Sequence, residues 1–177
     1  MTDPSASPEQ LGQLSAEVAR YIKGQRDKYR PAGLPLSSEQ RTTMSGYFST
    51  DLLANVRWLS LISELVETPT FFVMGLDLVD PSAFTMMAAI TFSDVIVANV
   101  PLWNDILFHE LVHCEQYRQL GIQRFAEIYA KGYLESGYHG VPLEEHASML
   151  GTRFELNRNE RFSVEQEVTT WIAEARF

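Results

Sequence analysis

The sequence predicts an α+β fold, with helices packed around a small, twisted, mostly antiparallel sheet. Three observations lead there. Apolar residues recur at helical spacing in several segments, and capping or breaking residues stand at the ends of those segments. Two short stretches, 69–74 and 88–98, are instead rich in β-branched, aromatic and other apolar residues. The helix expected after the second stretch, from Asn104 to about Leu120, carries His109-Glu110-Leu111-Val112-His113 inside a run with almost no polar face.

In chain order, residues 1–8 read as a flexible tail rich in Ser and Pro, and residues 9–177 as a single domain. Leu11, Leu14, Val18, Tyr21 and Ile22 place a helix over 9–30, ended by Pro31-Ala-Gly-Leu-Pro35. Ser37 and Gln40 form a capping box for a second helix that fades near Gly46. Ser49 caps a helical turn through Ala54, whereas 56–65 is open between helix and strand. Residues 69–74 read as a strand, Asp80-Pro81 as a turn, and 88–98 as a strand or hairpin. Asn104 is the expected N-cap of the next helix and Gly121 its end. A further helix follows over 123–134. Pro142 opens another to about Leu156, and Ser163 with Gln166 caps a last one ending near Ala175.

Composition narrows the function. The chain has 177 residues, 45% hydrophobic and 21% charged, with 14 Lys and Arg against 23 Asp and Glu, a net charge of −9. Nucleic acid and anionic membrane surfaces call for a basic patch, so neither is expected as a partner. No apolar run reaches the roughly 18 residues of a membrane span. The N-terminus lacks the basic and apolar regions of a secretory signal, and one cysteine, Cys114, allows no internal disulfide. Together these predict a cytoplasmic protein.

The chemistry concentrates in His109, Glu110 and His113. On a helix, residues four apart share a face with Cβ atoms roughly 6 Å apart, so two imidazoles can converge on one cation. Three ionisable side chains in an apolar, buried helix are costly unless something satisfies them, and a divalent metal satisfies two together. Glu110 would sit beside the ion as a base without binding it. Zinc hydrolases use a third protein ligand. The extended motif with a third histidine is excluded, because Gln116 and Gln119 stand where Gly and His are required. A later helix offers Glu144 and Glu145 instead. Adjacent helical residues point about 100° apart, so one of the two reaches the ion, and spacing leaves the choice open.

These residues resemble a known group. His109-Glu110-Leu-Val-His113-Cys-Glu-Gln116 follows a strand with Thr91 and Ile96. It precedes Val141-Pro142-Leu143-Glu144 and Ala147. This pattern, over about residues 88–156, resembles the gluzincin branch of the zincin-like metallopeptidases, and in particular the DUF4157-like bacterial domains. The resemblance implies a zincin-like fold with His109, His113 and Glu144 as zinc ligands and Glu110 as general base. An acid often follows two positions after the ligand Glu, and His146 stands there instead.

The expected function is therefore zinc-dependent peptide-bond hydrolysis on a peptide or protein substrate. Tyr138, His139, His146 and, less centrally, Tyr133 are candidates to stabilise the oxyanion. The strand near Ser93–Val97 is the expected edge for an extended peptide. The alternative is a catalytically inactive metal-binding interaction domain of the same fold. A di-iron bundle would need a second E-x-x-H, which the sequence lacks.

Overall fold

A computed structural model describes residues 7–61, 65–69, 87–136 and 140–177. Among them six helices pack on a four-stranded mixed sheet. The first helix, α1 (Pro8–Tyr29), starts inside the stretch read as a tail. Ser7 caps it, its hydroxyl accepting from the Gln10 backbone N–H while the Gln10 side chain accepts from the Ser7 N–H. A single 3-10 turn, Arg30–Ala32, leads to the two-residue strand β1 (Leu34–Pro35). The predicted Ser37–Gln40 capping box opens α2 (Ser38–Met44), and Ser49 caps α3 (Thr50–Asn55). The ambiguous stretch resolves as a strand, β2 (Arg57–Ser60). The 88–98 stretch is a hairpin, β3 (Ala89–Phe92) and β4 (Val95–Ala98), turning at Ser93 with φ +62°. The expected strand over 69–74, beyond Pro69, and the Asp80-Pro81 turn lie outside the described residues.

The sheet order is β1-β2-β4-β3. β1 with β2 and β3 with β4 run antiparallel, as expected, but the central pair β2–β4 is parallel. This corrects one expectation. Val95–Val97 is not an edge, because β4 is bonded on both sides; among the described residues the edge beyond it is β3. β4 is also buried on both faces. Val95 and Val97 pack with Tyr29 and Phe92, and Ile96 and Ala98 pack with Leu107, Phe108 and Leu111. The alternation follows from the period of two along a strand.

The long helix α4 (Asn104–Ser136) crosses the molecule and breaks at Gly121, with φ +72° and ψ +163°. Only glycine adopts that backbone readily, so the predicted helix end is real, although a second helical segment follows at once. Asn104 lies inside the first turn rather than before it: the Leu107 N–H donates to the carbonyl of Trp103. Trp103, just before the helix, is largely exposed. Next come α5 (Pro142–Leu156), with Pro142 in its first turn, and α6 (Val164–Ala173), capped by Ser163. Gly132 permits α5 to begin against α4, since a Cβ there would stand 2.5 Å from Pro142 Cδ. Among the described residues no helix is long and apolar enough to cross a membrane.

Candidate metal centre

His109 and His113 project from the first half of α4, where every residue from Leu107 to Tyr117 except His109 is buried. Glu144 comes from the first turn of α5. The three meet. His113 Nε2 is 3.1 Å from His109 Nε2 and 3.4 Å from Glu144 Oε2, and His109 Nε2 is 3.5 Å from the same oxygen. The last two distances are long for charge-assisted hydrogen bonds, which run at about 2.7–2.9 Å. They suit another arrangement. Ligand atoms about 2.0–2.1 Å from a tetrahedral zinc lie about 3.3–3.5 Å from one another. Two imidazole nitrogens and one carboxylate oxygen at this spacing fit a divalent cation. Glu145, one residue on, is exposed and is not one of the three.

Electrostatics point the same way. Burial alone would push the His113 imidazole down, but the Glu144 carboxylate more than reverses this and raises it to about 9. In turn, burial works to raise Glu144, and His113 and His109 overcome that and hold it well below the usual carboxylate range. A positive charge belongs between these groups; without metal, a proton supplies it.

Glu110 lies beside the triad and is not one of the three. Its carboxylate accepts a hydrogen bond of 2.6 Å from the Thr91 hydroxyl on β3. That bond is buried, and it ties the carboxylate to β3. The triad and Glu110 open on a cavity of about 90 Å³, lined also by Val18, Ile22, Ile90, Phe125 and Tyr129. The cavity is mostly apolar and reaches from the triad to α1.

Among the described residues, the other site candidates do not join the triad. Tyr138 and His139 lie outside the described residues. Tyr133 belongs to a core cluster with Val18, Ile22 and Phe125. His146 is buried, with its ring flat against Trp171 at 4.9 Å between centroids, and it does not line the cavity. Burial keeps it neutral and lowers its pKa to about 4. Cys114 is buried, and burial pushes its thiol up, as befits an unreactive core residue. Two groups that the sequence did not single out for the site, Tyr117 and Tyr129, do line the cavity. Their spacing of four from His113 to Tyr117 was the available signal, because it continues the face of the two histidines.

No protein-family model, curated protein or solved structure matches this chain.

Proposed function

We propose that this protein is a zinc-dependent peptidase. The observation that carries the reading is the convergence of His109, His113 and Glu144 at tetrahedral spacing, with Glu110 beside them and a cavity open to all four. Among the described residues three side chains converge, which leaves one coordination position for water or substrate, whereas purely structural zinc sites close with four. That difference favours catalysis over the alternative of an inactive metal-binding interaction domain. A zincin-like fold of the gluzincin type is part of the same proposal.

His109, His113 and Glu144 would hold the cation. When bound, it supplies Lewis acidity to a water and to the scissile carbonyl. Glu110 does the proton work. It takes a proton from the attacking water and delivers it to the leaving amine nitrogen. The Thr91 hydroxyl holds Oε2 of Glu110, which limits the carboxylate to one orientation. Among the described residues strand β3 is the edge along which an extended peptide can pair, and the apolar cavity beside it accepts an uncharged side chain.

The test is a peptide-library cleavage assay of zinc-loaded protein against Glu110→Gln. Glu110→Gln is expected to retain zinc and to lose about 10²–10⁴-fold in rate. Equal cleavage by both proteins would remove Glu110 as base. No cleavage by wild type, with one zinc bound per chain, would favour the interaction domain.

A further inference from the structure

Gln116 is fully buried in α4, one turn beyond His113. A buried amide needs partners, and this one has three on two helices. Its Oε1 is 2.8 Å from His113 Nδ1, and its Nε2 is 3.1 Å from the Leu143 carbonyl oxygen and 3.4 Å from His146 Nδ1. The Leu143 carbonyl can only accept, so the amide nitrogen faces it and the amide oxygen faces His113. An acceptor at that place requires a hydrogen on His113 Nδ1. The neutral ring then carries its lone pair on Nε2, the atom that faces His109 and Glu144. Leu143 immediately precedes Glu144. The amide that orients one ligand is thus bonded to the backbone from which another projects. His146 receives the second amide hydrogen, and its stacking on Trp171 keeps that acceptor in place.

We propose that Gln116 is the positioning residue of the metal centre: through its contacts with His113, Leu143 and His146 it selects the His113 nitrogen offered to the cation. The inference rests on the metal-site reading above but does not require peptidase activity.

The experiment measures zinc affinity of the full chain by competition with a chromophoric chelator. Gln116→Met keeps the shape and removes the acceptor; Gln116→Glu keeps an acceptor and removes both donors. Gln116→Met is expected to weaken zinc binding by about 10–100-fold, the usual effect of losing the partner of a ligating imidazole. Gln116→Glu is expected to stay within about threefold of wild type, since a carboxylate accepts from Nδ1–H at least as well. A merely structural amide would lower the melting temperature of both variants and leave their affinities equal, which overturns the proposal. Should Gln116→Met fail to fold, ¹⁵N NMR of the histidine rings in zinc-loaded wild type decides alone. A proton on His113 Nδ1 supports the proposal and a proton on Nε2 overturns it. Wild type that takes up no zinc overturns both this inference and the metal-site reading.

Discussion

The two halves of α4 use the same backbone differently. Before Gly121, polar groups point inward: Glu110, His113, Glu115 and Gln116 are all buried. Each has a partner. Thr91 serves Glu110, Gln116 serves His113, and Arg118 and Gln119 both donate to Glu115. After Gly121 the helix is conventionally amphipathic. Phe125, Ala126, Ile128 and Tyr133 face the core while Gln123, Arg124, Lys131 and Glu135 face water. A buried polar group without a partner costs about 1–3 kcal/mol, so the first half is tolerable only as a network. The second half is held by apolar burial and asks nothing specific of its polar residues.

The contrast can be broken most severely at the ligands. Glu144→Ala should weaken zinc binding more than about 100-fold, beyond the loss of any second-layer partner, whereas Glu145→Ala should leave it unchanged. Inductively coupled plasma analysis after dialysis against chelator distinguishes them, and loss of zinc from the Glu145 variant alone would reassign the third ligand.

A smaller effect follows from pH. In metal-free protein His113 is raised from 6.5 to about 9, chiefly by Glu144 acting against desolvation. A raised basic group stabilises the fold fully below its unfolded value and loses that contribution as pH rises through the folded value. Melting temperature should therefore fall between about pH 6.5 and 9 for metal-free protein. Zinc-loaded protein, in which the ion replaces the proton, should lack this fall and should release protons on loading between pH 7 and 8. A metal-free melting temperature that is flat across that window would contradict the pairing.

The smallest effects belong to the second half. Gly121→Ala meets no neighbour within 4 Å, so its cost is backbone conformation alone, about 1–3 kcal/mol. Lys131→Ala, exposed on the same helix, should stay within about 0.5 kcal/mol. Chemical denaturation of the two variants checks both, and a Lys131 effect as large as that at Gly121 would erase the distinction.

What the sequence made legible was local. The Ser37–Gln40 capping box, the break at Gly121 and the start of α5 at Pro142 are all set by neighbours within a few residues, and each was readable. The i, i+4 pairing of His109 and His113 is equally local. The choice between Glu144 and Glu145 needed the rotation of α5 against α4, which depends on Gly132 admitting Pro142. The assignment of β4 as an edge failed for a similar reason. Its pairing with β2 is parallel and joins residues about forty positions apart, so alternation within 88–98 carries no trace of it. Gln116 was visible as a polar residue in an apolar helix, the same signal that marked Glu110. What it bonds to, Leu143 and His146, lies on another helix and could not be read.

One further consequence concerns what it costs to enclose the cavity. The cavity wall from Val18 and Ile22 stands near the start of the chain, and the triad is drawn from residues 109–144. Helices α1 and α4 can form from local contacts, but the chamber between them closes a loop of about ninety residues. Closing it carries the loop-closure entropy of that whole intervening segment, a cost that the local pairing of His109 with His113 does not bear.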